Sequence, residues 1–134
     1  MWKLFALLFA LVSTAALAQD TGSYTVTSVQ VANNTTSVAI RPGPGWVQSV
    51  EIFNNGATIA YLKLYDALQA NVTCGSGTPK ARYQVGASTV GPTVVNPRAD
   101  LYTVGITACF TTGYADSDAT APAATTYSYN IHWR

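Results

Sequence analysis

The sequence predicts an all-β fold: a single antiparallel β-sandwich, jelly-roll-like, of about eight strands. Val, Thr, Tyr and Ile recur in short runs that Gly, Pro and Asn separate, which is the pattern of strands and turns. Several of these runs alternate apolar with polar residues, as half-buried strands do. After Asp20, no stretch keeps a helical period for about ten residues.

The first two strands are short and end in turn residues. Tyr24–Val31 is predicted as a strand whose apolar phase changes after Val26, which indicates a bulge near Thr27-Ser28. Thr36–Arg41 is the second strand. Pro42-Gly43-Pro44-Gly45 ends it, because proline cannot donate to a strand ladder and glycine accepts positive φ.

The next two strands are predicted to form a hairpin. Trp46–Phe53 and Ala57–Tyr65 flank Asn54-Asn55-Gly56, and Asn-Gly between apolar-rich runs favours a type I′ turn. In the second strand, one face is expected in the core and the other towards solvent or a partner, partly covered. On this basis Lys63 is expected to tolerate truncation. The core face carries Ala60, Leu62 and Leu64, and the other face carries Ile59, Tyr61, Lys63 and Tyr65.

Four further strands complete the predicted sandwich. Lys80–Val85, Tyr102–Phe110 and Tyr127–Trp133 each alternate apolar residues with polar or small ones. Thr93–Val95 lies between two prolines, which is typical of an edge strand. The long run Tyr102–Phe110 is predicted as one strand with Val104 on its core face.

Residues 1–18 are expected to be a signal peptide. Lys3 supplies a positive start, Leu4–Val12 an apolar stretch, and Ala16-Leu17-Ala18 a small-x-small cleavage site. The apolar stretch is shorter than the ~20 residues that span a bilayer, so a transmembrane helix is the weaker interpretation. The remaining residues 19–134 are predicted to form one β-sandwich domain of a secreted, periplasmic or cell-surface protein, with no membrane contact after cleavage.

The charge composition argues against several function classes. Only 10% of the residues are charged, against about 25% in ordinary soluble domains. Without Lys3, six basic side chains balance six acidic ones, so the net charge is near zero. Nucleic-acid binding needs clustered Lys and Arg, and no nucleic-acid partner is expected. A neutral surface gives little repulsion between copies and therefore favours self-association or attachment to a larger assembly.

Cys74 and Cys109 are the only cysteines, and a pair in an exported protein usually forms a disulfide. We expect this bond to attach the loop 68–79 to a central strand, with two independent thiols as the alternative. A metal site is disfavoured because the only histidine, His132, has no cysteine or carboxylate near it in sequence. No nucleophile motif accompanies His132, so no catalytic residue, no cofactor and no enzymatic activity are predicted.

Two weaker signals leave alternatives open. Asp116 and Asp118 flank Ser117 and present oxygens suited to calcium, but two carboxylates are few, and local turn hydrogen bonds are the alternative.

Aromatic residues suggest a carbohydrate-binding module as the alternative to a structural role, since rings stack on sugars and Trp46 follows a Gly/Pro turn. Most of the strand tyrosines are expected in the core or half-buried. These are Tyr61, Tyr65, Tyr83, Tyr127 and Tyr129.

Ile52–Asp66, followed by Gly77-Thr78-Pro79 and then Tyr114–Pro122, resembles a family of small β-sandwich proteins encoded by tailed bacteriophages and prophages. That family shows a similar order: an Asn-x-Gly-Ala hairpin, a Tyr-Leu-Lys-Leu-Tyr strand, a Gly-Thr-x-x-Pro loop and an Ala-Asp-x-Asp loop. The resemblance covers roughly Trp46–Arg134. It implies a non-enzymatic, virion-associated structural or decoration module. The signal peptide departs from this family, so a host-exported surface or fibre subunit is expected as the other form of this role.

Overall fold

The computed structural model describes residues 24–30, 36–88, 91–97, 99–123 and 127–134. These residues form nine strands in two antiparallel sheets that pack face to face, which confirms the predicted all-β sandwich. The predicted signal peptide lies outside the described residues. The strands are β1 (Thr25–Gln30), β2 (Val38–Arg41), β3 (Gly45–Asn54), β4 (Ala60–Asp66), β5 (Ala81–Val85), β6 (Thr93–Val95), β7 (Asp100–Tyr102), β8 (Ile106–Thr111) and β9 (Tyr127–Trp133), with a 3-10 turn at Gln69–Asn71.

The strand order is that of a jelly roll. Sheet A contains β1, β9, β3 and β6 in that order, and β7 also pairs with β3; sheet B contains β2, β8, β4 and β5. The first strand thus pairs with the last, the second with the penultimate, and the fourth with the fifth. This nested antiparallel pairing is the arrangement in which a jelly roll closes two sheets around one core.

The core lies between the sheets because each strand turns alternate side chains inward. The face of β4 predicted as core is fully buried at Ala60, Leu62 and Leu64, so the predicted phase is confirmed. Aromatic rings link the sheets, since Phe110 of β8 stacks on Tyr129 of β9 at 5.9 Å between ring centroids. The other buried members are Ile40, Val47, Val50, Ile52, Val85, Tyr102, Ile106, Ala108, Tyr127 and Ile131.

The predicted hairpin between Trp46–Phe53 and Ala57–Tyr65 is wrong. β3 lies in sheet A and β4 in sheet B, so the segment between them crosses from one sheet to the other. The buried side chain of Asn54 organises this crossing: its amide donates to the carbonyls of Thr58 and Gly86, and its Oδ1 accepts from the Gly56 N–H. Gly56 also lacks the positive φ that a type I′ turn needs.

The predicted long strand Tyr102–Phe110 is also wrong, because it is two strands in different sheets. β7 ends at Tyr102 in sheet A, and β8 begins at Ile106 in sheet B. The carboxylate of Asp66 accepts the N–H groups of Thr103 and Val104, each at 2.8 Å, and so fixes the crossing. Val104 is therefore exposed instead of lying in the core.

β1 pairs with β9 in unbroken register, so the bulge predicted near Thr27-Ser28 is wrong. Val29 packs against the core, whereas Val26 points outward and is exposed. The change of apolar phase reflects an exposed valine, which an edge strand accommodates without an extra residue. The register shifts lie instead in β2 and β3. The prediction that Thr93–Val95 is an edge strand is confirmed, since β6 ends the strand order of sheet A.

Candidate interaction surface

The sandwich has two outer faces that differ in what lies on them. We call the outer face of sheet B the covered face; its central residues are Tyr61, Lys63, Tyr65, Thr107, Cys109 and Thr111, which pair across β4 and β8. We call the outer face of sheet A the open face; it carries Tyr24, Val26, Trp46, Glu51, Val94, Leu101, Asn130 and His132.

The segment 67–80, the first cover loop, is attached to the covered face by a covalent bond. Cys74 of this loop forms a disulfide with Cys109 of β8, so the predicted pairing is confirmed and the alternative of independent thiols is excluded. Both sulfurs lie with Tyr65 in a second small buried cluster. Burial raises the pKa of the Tyr65 hydroxyl. The Thr107 hydroxyl adds a hydrogen bond of 2.7 Å to the carbonyl of Ala67.

The segment 112–123, the second cover loop, is attached by a buried lysine. Lys63 is 0% exposed, and its Nζ donates to the carbonyl oxygens of Ala115 at 2.6 Å and Asp118 at 3.1 Å. Burial lowers the pKa of this amine, while the nearby charges of Asp118 and Asp116 act in the opposite direction. The expectation that Lys63 tolerates truncation assumed a side chain directed towards solvent or a partner. That assumption is wrong, because the side chain is buried.

The two cover loops also touch each other. Gly75 has a φ of +84°, and a Cβ built on it would lie 2.6 Å from the Cβ of Ala119 in the second loop. Only a residue without a side chain allows both this backbone conformation and this approach. The loops therefore form one continuous layer over the central strands of sheet B.

The two loop aspartates make protein contacts. Asp116 accepts a hydrogen bond of 2.6 Å from Arg82 Nε and forms an ion pair with the same guanidinium. Asp118 Oδ1 accepts the N–H of Thr120 at 2.9 Å, which confirms the local-turn alternative for this residue. Among the residues that the structure describes, no group of three or more His, Cys, Asp and Glu side chains is placed to hold a metal ion.

An exposed aromatic site lies on the outside of the second cover loop. Tyr114 is 65% exposed and meets Tyr61 edge-to-face, with ring centroids 5.7 Å apart. The guanidinium of Arg82 lies 5.8 Å from the centroid of the Tyr114 ring and is itself paired with Asp116. We call these four residues the Tyr114 site. Sequence periodicity does not identify Tyr114, because an irregular loop has no pattern that separates inward from outward residues. Tyr127 and Tyr129 are buried as expected, and Tyr65 is buried on the face of β4 that was expected towards solvent or a partner.

The open face exposes large apolar side chains. Trp46 of β3 and Leu101 of β7 are paired neighbours and are 41% and 40% exposed. Val94 on the edge strand β6 is 53% exposed beside Glu51. On the opposite edge, Val26 of β1 is 48% exposed. The apolar residues therefore lie around the outer part of this face.

The centre of the open face is polar. Asn130 Nδ2 donates to Glu51 Oε2 at 3.0 Å, and His132 Nε2 lies 3.6 Å from Glu51 Oε1. His132 lies on the outward side of β9, beside the buried Ile131. The sequence showed no carboxylate near it, because Glu51 comes from β3 and reaches β9 only through sheet pairing. This separation exceeds hydrogen-bond distance, so the imidazole and the carboxylate lie close together without a hydrogen bond between them.

Comparisons with protein-family models, with curated proteins and with solved structures find no match to this chain. Within the described ranges, no helix has the length and apolar character needed to cross a membrane. The residues of the two faces are therefore interpreted from their own chemistry.

Proposed function

We propose that the protein is a non-enzymatic structural module that associates with itself or attaches to a larger assembly, with the open face as its contact surface. The observation that supports this most directly is the difference between the outer faces. The covered face lies under two loops that a disulfide and a buried lysine attach to it. The open face exposes the side chains of Trp46, Leu101, Val94 and Val26. Trp46 and Leu101 are exposed side by side, and neighbouring exposed apolar side chains are typical of an interaction site.

The chemistry of the open face suits a protein contact. Tryptophan is enriched at interface positions whose truncation weakens binding, and Trp46 lies beside Leu101. The centre of the face supplies hydrogen-bonding groups from Glu51, Asn130 and His132. Such groups fix the orientation in which a partner protein binds. The near-zero net charge adds little repulsion between neighbouring molecules.

We further propose two settings for the assembly: a virion-associated decoration or fibre-type structure, or a surface or fibre subunit exported by a host. The resemblance of Trp46–Arg134 to structural proteins of tailed phages supports the first setting. The disulfide supports the second, because such bonds persist in oxidising compartments outside the cytoplasm. In the second setting, the protein is secreted, periplasmic or at the cell surface after residues 1–18 are removed.

The intact mass of the protein purified from its native host separates these settings. Cleavage after Ala18 supports export, and retention of Met1 supports a protein made and assembled in the cytoplasm. A further loss of two hydrogens shows that the disulfide has formed in the purified protein, which also supports export.

Size-exclusion chromatography with light scattering tests the association itself. The wild-type protein is expected to form oligomers as its concentration rises, and Trp46→Ser with Leu101→Ser is expected to reduce them. Tyr114→Ser is the matched control, since it removes an exposed aromatic ring from the opposite face. A monomer at every concentration, with no partner recovered by pull-down, contradicts the proposal.

The Tyr114 site favours a second candidate function, a secreted carbohydrate-binding module. An exposed ring beside a guanidinium and a carboxylate provides a stacking surface for a sugar together with donors and acceptors for its hydroxyl groups. A glycan array tests this function, with Tyr114→Ala expected to abolish binding and Trp46→Ala expected to retain it. An array without any bound glycan removes the candidate.

A further inference from the structure

The four sheet edges of the sandwich differ in how they are protected. Sheet A ends in β1 on one side and in β6 and β7, which both pair with β3, on the other; sheet B ends in β2 and β5. β7 is three residues long and begins with the charged Asp100. An edge strand presents unpaired N–H and C=O groups, so proteins usually block it with charge, proline, irregular register or short length.

Three of the edges carry such features. β6 is three residues long and lies between Pro92 and Pro97. β5 carries Arg82 and follows Lys80. β2 is four residues long, has a register shift between Ala39 and Arg41, and ends in the charged Arg41. Each of these features opposes the addition of another strand.

β1 carries none of these features. Its six residues, Thr25-Val26-Thr27-Ser28-Val29-Gln30, include no charge and no proline, and they keep one register with β9 throughout. Among the described residues, β9 is the only strand that pairs with β1. Val26 and Ser28 are exposed on the open face at this edge. The edge therefore retains the main-chain geometry that strand addition needs.

We propose that β1 pairs antiparallel with β1 of a second copy of this chain, which joins two copies of sheet A into one continuous sheet. This inference rests on the proposed function and adds a second contact between copies, the β1 seam, to the contact through the open face. A two-fold axis makes an antiparallel contact between identical strands self-complementary. An uncharged strand suits this contact, because each residue then meets its own copy or a close neighbour without like-charge repulsion.

This seam also extends the open face. With the two-fold axis perpendicular to the sheet, both cores lie on the same side, and the outward side chains of β1 come together on the other side. Val26 of one copy then packs near outward residues of the second copy, which removes an exposed valine from water. The two open faces become a single surface twice as wide.

Charge substitution at Ser28 tests the proposal on the full chain. Ser28→Lys and Ser28→Glu each place like charges close together at the seam, and each is expected to weaken the dimer by about ten-fold. Mixing the two variants is expected to restore association, because opposite charges then meet. Gln84→Lys is the matched control, since Gln84 is exposed on β5, an edge strand of the other sheet that lies outside both the open face and the β1 seam.

Each outcome is decisive when association is measured by light scattering and folding by circular dichroism. Restoration on mixing, with Gln84→Lys behaving as wild type, supports the β1 seam. Wild-type association by both Ser28 variants overturns the seam but leaves the proposed function standing. Folded variants that remain monomeric after mixing overturn the pairing of two β1 strands. A wild-type protein that is monomeric and partnerless overturns the proposed function and this inference together.

Discussion

The two outer faces of the sandwich have a similar alternation of residues along their central strands, but the outward side chains are buried on one face and exposed on the other. On the covered face, the outward residues Lys63 and Tyr65 of β4 are buried; on the open face, the outward residue Trp46 of β3 is exposed. Both strands are central in their sheets, and both place large side chains alternately inward and outward. The difference comes from the loops that are bonded to one face, because the disulfide and the lysine hold them there.

This comparison separates stability from association within one small fold. The covered face has a second buried cluster, a cross-link and hydrogen bonds to loop carbonyls, all of which oppose unfolding. Among the described residues, the open face has a hydrogen bond between the partly exposed side chains of Asn130 and Glu51, and several exposed apolar side chains. Substitutions on the covered face should therefore change stability, and substitutions on the open face should change assembly.

Removal of the disulfide is expected to cause the largest loss of stability on the covered face. Cys74→Ala with Cys109→Ala is expected to lower the free energy of unfolding by about 4 kcal/mol, because the bond closes a long loop in the unfolded chain. The two cysteines are separated by 35 positions in sequence. Guanidinium unfolding provides the measurement. As a control, a reducing agent should shift the wild-type midpoint towards that of the variant and leave the variant unchanged. Equal midpoints without the reducing agent contradict the role of the cross-link.

Lys63→Ala is expected to cost about 2 to 3 kcal/mol, because it leaves the carbonyls of Ala115 and Asp118 without their buried donor. Glu51→Ala is the matched substitution on the open face, since Glu51 is an outward residue of a central strand in the other sheet. Its expected cost is within about 1 kcal/mol, the range for a partly exposed hydrogen bond. Urea unfolding of both variants gives the comparison, and a larger loss for Glu51→Ala reverses the roles of the faces.

Local alternation was sufficient to predict most of the strands. The all-β class, the inner face of β4 and the edge position of β6 follow from residue periods and prolines that lie within each strand. The pairing of Cys74 with Cys109 followed from the cysteine count together with the predicted export of the chain. These features depend on short stretches of sequence, so no knowledge of the topology was needed.

Features that depend on distant residues were not predictable in the same way. The Asn54-Asn55-Gly56 signal is local, but β3 pairs with β9 instead of β4, because the nested topology determines its neighbours. The burial of Lys63 depends on carbonyls of the second cover loop, far along the chain. The contact of Glu51 with His132 likewise exists only after β3 and β9 pair.

The carboxylate of Asp66 holds the segment between β7 and β8, where the chain crosses from sheet A to sheet B. Burial alone raises the pKa of this carboxyl, but hydrogen bonds from Thr103, Val104 and Gly105 outweigh it and lower the pKa to about 2. Because the folded pKa lies below the unfolded value of 3.8, the stabilisation is fully present above about pH 4 and is lost as the pH falls to about 2.

Asp66→Asn is therefore expected to lower the free energy of unfolding by about 2 kcal/mol at neutral pH, with a smaller difference from wild type in acid. Unfolding at several pH values between 2 and 7 measures this convergence. Asp100→Asn retains Asp66 and should keep the acid dependence of the wild type. A constant difference between Asp66→Asn and wild type across this range contradicts the assignment of the effect to the charged carboxylate.

The smallest expected effect on stability is that of Trp46→Ala. The ring is 41% exposed on the open face, so its truncation should change the free energy of unfolding by no more than about 1 kcal/mol. The main-chain bonds between Trp46 and Arg134 do not use the indole and should persist in the variant. The same variant should reduce association, because an exposed tryptophan that becomes buried in a contact contributes strongly to binding. Unfolding and light scattering on one preparation separate the two effects. A loss of stability as large as that of Lys63→Ala, with unchanged association, makes Trp46 part of the structural core and leaves the open face without its principal contact residue.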